Sequence, residues 1–267
     1  MLKTEMRNPK TMHIDKMDTI SMLKVINEEN MNSVKAVEAE LENIAKAVDV
    51  ITESFAKGGR LFYIGAGTSG RIGVLDASEC PPTYGVSDDM VVGIIAGGDK
   101  CLRSASEKAE DIKERGIDDL AKYNITENDV VVGISVAGGA QYVLGALDYA
   151  KSKGATTVGL TSNADSLLAK KSDIAICPDT GAEVITGSSR MKGGNAQKFV
   201  LNMLSTCAMV KSGYVYENLM INLKPSNIKL KNRMIGIVRD ILSCDEKQAE
   251  RLLQENDWNI KKTVKNE

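Results

Sequence analysis

Histidine is almost missing from this chain: among 267 residues there is one, His13, far out in the N-terminal segment. A Ser-His-Asp relay within one chain would have to recruit it, and a histidine-rich metal cluster cannot be assembled. Acid–base chemistry is therefore left to carboxylates, lysines or tyrosines, and no metal site is expected. Aromatic residues are also scarce, at 4%, and the net charge is −2. The basic footprint and stacking rings of a nucleic-acid surface are thus absent. Five cysteines (Cys80, Cys101, Cys177, Cys207, Cys244) are odd in number and lack any CxxC spacing. They read as reduced thiols of a cytoplasmic protein, not as a disulfide frame or zinc site. The longest apolar stretches, such as FVLNMLSTCAMV (199–210), are too short and too interrupted to span a bilayer. The charged opening MLKTEMRNPK has no apolar segment of the signal-peptide kind.

What is present is the balance of an ordinary globular protein, 43% apolar and 26% charged, with length for one sizeable domain plus a small appendage. Residues 17–57 carry two helical patterns. The second, SVKAVEAELENIAKAVDVITESFAKGG, has apolar residues at three-and-four spacing and stops at Gly58-Gly59. Apolar runs then alternate with helical ones: RLFYIG (60–65), MVVGIIAGG (90–98), DVVVGIS (129–135), TTVGLTS (156–162) and IAICP (174–178). Their Val and Ile content suits strands buried on both faces of a parallel sheet. Helices are expected between them at about 69–79, 102–122, 139–153 and 187–212. The fold class is α/β, a three-layer sandwich with a parallel sheet of the doubly wound type. From 222 the texture changes to a linker, NLKPSNIKLKNRM, followed by short helices near 230–243 and 246–256 and the start of a third. The division expected is residues 1–57 as N-terminal helices packing on the core, 58–221 as the central domain and 222–267 as a small helical domain.

Four stretches could carry chemistry. GAGTSGR (65–71) stands between a strand and a helix, and Gly65, Gly67 and Gly70 satisfy GxGxxG. A dinucleotide site is one reading, but the acidic residue it needs has only the distant Asp99 as candidate. A phosphomonoester cradle is another, built from Gly67 backbone, the Thr68 and Ser69 hydroxyls and the helix dipole. A plain turn is a third. In DASECPPTYG (76–85), Glu79 precedes a double proline, which should end the helix and hold Glu79 near the phosphate loop. The bland alternative is a solvated glutamate. In ASEKAEDIKE (105–114), Glu107 and Glu110 share a helix face, as solvent-facing acids commonly do. In GAEVITGSSRMKGGNAQK (181–198), Ser188, Ser189, Arg190 and Lys192 open a long helix. They suit an anionic ligand about as well as an ordinary N-cap.

Taken in order, GAGTSGR, DASECPPTYG, the IAGG at 95–98 and GAEVITGSSRMK resemble the N-acetylmuramic acid 6-phosphate etherase family, built on the sugar-isomerase (SIS) fold. TEMRNP, IDKMDT and INEEN resemble the same family's opening, and the tail its C-terminal helical domain, shortened. The resemblance implies a cytoplasmic carbon–oxygen lyase of cell-wall amino sugar recycling that cleaves the lactyl ether of its phosphorylated amino sugar. It implies no cofactor, no nucleic acid or membrane partner, and a homodimer with the site near its interface. By motif match Glu79 is the proton donor and Glu110 the other acid–base residue. Gly67, Thr68, Ser69, Ser135, Gly138, Ser188, Ser189 and Lys192 are the substrate and phosphate contacts. Related SIS proteins include non-catalytic phosphosugar-binding regulators, so a sensor or an inactive paralogue is the alternative.

One turn departs from the family. Where its members have close to A-S-G-R-T-P, this chain has Val136-Ala137-Gly138-Gly139-Ala140-Gln141, and Asn195 stands where threonine is usual. Two hydroxyls and an arginine are replaced by methyls and hydrogen. Each lost hydrogen bond to a charged group costs on the order of 1.5–3 kcal/mol, so a weakened phosphate site is expected here.

Overall fold

The structure is a computed structural model and describes residues 2–104, 109–225 and 227–265. Five strands, β1 (Leu61–Gly65), β2 (Val91–Ile95), β3 (Val130–Ile134), β4 (Thr156–Leu160) and β5 (Ile174–Ile176), form one parallel sheet in the order β2-β1-β3-β4-β5. Each lies inside one of the apolar runs. The chain steps outward from β1 to β2 and then returns to the other side of β1 for β3. The loops after β1 and β3 therefore diverge, leaving a crevice at their carboxyl ends where doubly wound sheets bind ligands.

The helices are α1 (Thr19–Glu38), α2 (Leu41–Ala56), α3 (Gly67–Tyr84), α4 (Lys100–Arg103), α5 (Lys113–Ala121), α6 (Gln141–Ser152), α7 (Leu167–Lys171), α8 (Lys192–Lys211), α9 (Ile228–Leu242), α10 (Glu246–Glu255) and α11 (Ile260–Lys265). Strand alternation sorts the core into two layers. Leu61, Tyr63, Val132 and Ile134 meet Ile51 of α2, Ala77 of α3 and Leu204 of α8 on one face. Phe62, Ile64 and Val131 meet Leu120 of α5 and Tyr142 and Leu147 of α6 on the other. The three-layer sandwich expected from the sequence is what the chain forms. At the amino end of the sheet Asp129 accepts hydrogen bonds from the Arg60 backbone N–H (2.9 Å) and Nε (3.1 Å), joining the starts of β1 and β3. The tail has its own apolar cluster, with Met234, Val238, Leu253 and Ile260 at its centre. Asn222, at the start of the tail, donates to the Tyr84 carbonyl at 2.8 Å.

Three elements differ from the sequence expectation. The long N-terminal pattern breaks at Ala39-Glu40 without a glycine or proline, and both halves pack on α8. Among the described residues the 102–122 stretch is not one helix: α4 ends at Arg103 and α5 starts at Lys113. Most consequential, α3 does not stop at Pro81-Pro82. Prolines satisfy helical φ, and what they remove is the donor to the carbonyl four residues back. Those carbonyls belong to Ala77 and Ser78, the second of which is exposed. The helix ends only at Gly85, whose left-handed φ of 65° and bond to Pro81 O (2.9 Å) make a glycine C-cap.

Candidate active site

The backbone between β1 and α3 is compressed. A Cβ on Gly65 would lie 2.7 Å from Gly70 N, and one on Gly70 2.6 Å from Gly65 O. Glycines at both points let the helix start directly on the strand end. Ala66 caps α3 without any side-chain bond, so the first-turn N–H groups of Gly67, Thr68 and Ser69 point out of the helix unfilled. Only the Gly70 N–H turns inward, to Ala66 O at 3.3 Å. An 18-residue helix thus presents its positive end at the crevice. Ser69 does not aim its hydroxyl outward as expected; it is buried and donates to Gln197 Oε1 at 3.0 Å, tying α3 to α8.

The Val136–Gln141 turn lies beside it, and it is held through its own backbone groups by backbone and side-chain partners around it. The Val136 carbonyl accepts from Ser162 N (2.9 Å), Thr161 Oγ1 (3.0 Å) and Asn163 Nδ2 (2.9 Å). Gly138 sits at φ +73°, and a Cβ there would lie 2.3 Å from Ser166 Oγ. Its N–H donates to Ser135 Oγ at 3.1 Å and its carbonyl accepts from Leu168 N at 3.1 Å. The Ser135 oxygen is thereby engaged, though its own proton can still be donated. Ala140 caps α6 without a side-chain bond, so a second helix N-terminus lies next to the first, with Tyr142 N in its first turn taken by the Glu110 carbonyl at 2.9 Å. The turn is therefore rigid, and it carries no charged side chain.

The start of α8 behaves differently. Its first-turn N–H groups are filled from inside: Glu183 accepts from Lys192 N at 3.1 Å and Gly193 N at 2.9 Å. The Lys192 ammonium, expected to meet a ligand, is 1% exposed and lies 2.6 Å from Glu29 Oε2. Burial pushes the Glu29 carboxyl up, but the hydrogen bonds from Lys192 and Asn8 and the ammonium charge outweigh it and hold it below the usual range. Lys192 is thus a buried ion-pair partner. Ser188 and Ser189 are half-buried and Arg190 exposed, just ahead of the helix. A Cβ on Gly193 would lie 2.9 Å from Val136 Cγ1, and one on Gly194 3.4 Å from Thr68 Cγ2. The first turn of α8 is a wedge between the other two turns, and three of the sequence motifs converge.

The two glutamates are not brought together within one chain. Glu110 is exposed, and its carbonyl accepts from Tyr142 N at 2.9 Å, which fixes it beside the first turn of α6 at the crevice. Glu107 lies outside the described residues. Glu79 is exposed on α3, twelve residues after Gly67, or about 18 Å along the axis at 1.5 Å per residue. The expected closeness to the phosphate loop rested on a helix break that does not occur. Three residues before it, buried Asp76 accepts from Asn202 Nδ2 at 2.6 Å and fixes that half of α3 to α8. Nearby, an apolar groove of about 630 Å³ runs between Val34, Val37 and Leu41 on one side and Phe199, Met203 and Cys207 of α8 on the other.

Glu29, Glu183, Asn8 and Gln197 carry the interior of the site, and sequence reasoning gave them no role. INEEN and GAEV marked Glu29 and Glu183 as family features, but nothing local announces the pairing of Glu29 with Lys192 across 163 residues. No group of three or more His, Cys, Asp or Glu among the described residues could hold a metal ion, and no described helix is long and apolar enough to cross a membrane.

Comparison with known proteins adds to this geometry. The family model for the glucokinase regulatory protein N-terminal SIS domain matches residues 43–151, and the SIS domain model matches residues 101–207. N-acetylmuramic acid 6-phosphate etherase 2 of Vibrio parahaemolyticus is 53% identical over 98% of this chain and 88% of its own. The N-acetylmuramic acid 6-phosphate etherase of Actinobacillus pleuropneumoniae is 54% identical over 98% and 86%. Among solved structures, phosphoheptose isomerase from Francisella tularensis aligns with a TM-score of 0.57 at 16% identity, covering 72% of this chain and 98% of its own. The phosphoheptose isomerase from Neisseria gonorrhoeae gives 0.53 at 15% identity, covering 70% and 95%. At such identities these two speak for the fold.

Proposed function

This chain belongs to the N-acetylmuramic acid 6-phosphate etherase family, and from that premise we propose how its residues divide the work of the lyase reaction. The reaction cleaves the lactyl ether at C3 of N-acetylmuramic acid 6-phosphate, giving (R)-lactate and N-acetylglucosamine 6-phosphate. In the open-chain sugar the aldehyde acidifies the C2 proton, and a carboxylate removes it. The lactate alkoxide is a poor leaving group and departs as a second carboxyl group protonates it. Water then adds at C3 of the unsaturated aldehyde. Glu79 is the proton donor and Glu110 the other acid–base residue.

The observation that best supports a phosphosugar ligand is the pair of adjoining helix N-termini, α3 and α6, at the crevice, neither of them capped by a side chain. Gly67, Thr68, Ser135 and Gly138 surround the phosphate, with Ser188 and Ser189 over it. Backbone donors replace the side chains that the Val136–Gln141 turn lacks, so affinity for phosphate is lower than a hydroxyl-bearing turn would give. Because Glu79 stands so far along α3 from the cradle, the site is completed in a homodimer. The exposed Val34, Leu41, Leu75 and Phe199 and the groove beside α8 form the face that a second copy covers. The protein works in the cytoplasm, without nucleic acid or membrane partners.

The test is lactate release from N-acetylmuramic acid 6-phosphate by the purified protein, with Glu79→Ala as control. Release that disappears in the variant is the expected outcome. Binding of N-acetylglucosamine 6-phosphate without any lactate would favour a non-catalytic phosphosugar regulator, the reading to which the altered turn lends itself.

A further inference from the structure

The loop carrying Ser188 and Ser189 is closed at its neck by one side chain. Glu183 begins the loop, and the N–H groups it binds, on Lys192 and Gly193, end it nine and ten residues later. Inside, Ser188 N donates to Ile185 O (2.9 Å), Ser189 N to Gly187 O (3.1 Å) and Gly194 N to Ser189 O (2.9 Å). The N-terminal segment grips the same neck from outside. Asn8 donates to Ala182 O (3.1 Å) and to Glu29 Oε2 (2.7 Å), Thr11 donates to Val184 O (2.8 Å), and Ser33 donates to Lys192 O (3.1 Å). At the centre is the Glu29–Lys192 pair, with Glu29 3% exposed and Glu183 1% exposed. Neither carboxylate can reach a substrate.

Holding a loop requires no buried charges; an apolar pair of similar volume often serves stability as well or better. Charge-assisted bonds instead fix direction, because the donors must meet the oxygens at short range. Here the part so fixed is the first turn of α8, whose Gly193 and Gly194 abut Val136 and Thr68. A small rotation of that turn would push on both phosphate turns together.

We propose that Glu29 and Glu183 are positioning residues for phosphosugar binding, a buried carboxylate clamp that sets the α8 wedge and with it the Ser188–Ser189 loop. The proposal rests on the phosphosugar reading of the crevice. The clamp occupies the one helix N-terminus at the site that would otherwise compete for the ligand's phosphate. It thereby directs the anion to α3 and α6.

The test compares two variants with the wild type: Glu183→Gln, and the charge-free double variant Glu29→Leu with Lys192→Met. Calorimetry measures the Kd of N-acetylglucosamine 6-phosphate and of inorganic phosphate, thermal melting reports folding, and lactate release supplies kcat and KM. A positioning role raises the sugar phosphate Kd about tenfold or more in both variants, while the double variant melts close to the wild type. In Glu183→Gln, KM rises by a larger factor than kcat falls. A double variant that melts like the wild type and binds with unchanged Kd overturns the clamp. Wild-type lactate release alongside that result leaves the etherase reading standing. Wild-type binding without lactate removes the etherase reading, and the clamp is then decided by Kd alone.

Discussion

Substituting alanine for Gly138 tests the rigid turn at its tightest point. At φ +73° a Cβ meets its own backbone, at a cost of about 1–2 kcal/mol. It would also lie 2.3 Å from Ser166 Oγ, 2.4 Å from Ser166 Cβ and 2.7 Å from Thr161 Oγ1; both residues are buried and both hydroxyls are committed to neighbouring bonds. Overpacking of that kind adds about 1–3 kcal/mol. The sum, about 2–5 kcal/mol, is a large share of an ordinary folding stability, and at about 2–4 °C per kcal/mol it lowers the melting midpoint by about 4–20 °C. The neighbouring Gly139 supplies the control: its φ is not positive and a Cβ there meets nothing within 4 Å. Gly139→Ala should move stability by no more than about 0.5 kcal/mol. Calorimetric melting of the two variants and the wild type decides the matter. Equal shifts, or a Gly138→Ala protein that melts with the wild type, would refute the account of the turn as a close approach to the β4–α7 loop.

Glu79→Gln and Glu110→Gln should each lower kcat for lactate release by about 10²–10⁴, the usual worth of a positioned proton carrier, while calorimetry finds the sugar phosphate still bound. For Asp129, burial favours the neutral form, but hydrogen bonds from Arg60 and from the Thr126 N–H outweigh it and depress the carboxyl; Glu29 is depressed as well. Both therefore add stability that is complete above the unfolded carboxylate range of about pH 4 and drains away as pH falls through the lower native values. Urea midpoints should fall between pH 7 and pH 3, and less steeply in Asp129→Asn. Cys80 is buried and its thiol is pushed up to about 12, first by burial and then by Asp76, whereas Cys207 is exposed in the apolar groove. A thiol reagent at pH 8 should label Cys207 and spare Cys80 until unfolding, and Cys207 labelling should slow with rising protein concentration as the face is covered.

The sheet was legible because each strand is a short Val- and Ile-rich run between turn signals, and burial on both faces leaves that composition little alternative. The α3 turn was legible for a related reason, since Gly65 and Gly70 are required by backbone contact. The length of α3 was misjudged because proline was read as a stop. Its fixed φ is helical, and the missing donors fall on carbonyls at Ala77 and at exposed Ser78. The α8 start was left open between a ligand site and an ordinary N-cap for a different reason. Hydroxyls and cations before a helix look the same whether the helix end faces a ligand or is filled by a carboxylate from elsewhere. Glu183 decides that question from nine and ten residues upstream and Glu29 across 163 residues, and neither contact shows in the pattern at the helix start itself.

The clamp also sets an order of events during synthesis. Glu29 leaves the ribosome 163 residues ahead of its partner Lys192. At about 5–20 residues per second, α1 waits roughly 10–30 s with its acidic side chain and apolar stripe unsatisfied. A helix made early is thus among the last to find its place. The crevice gains its wall only once Lys192 has been translated, and until then the unpacked face of α1 is open to chaperones.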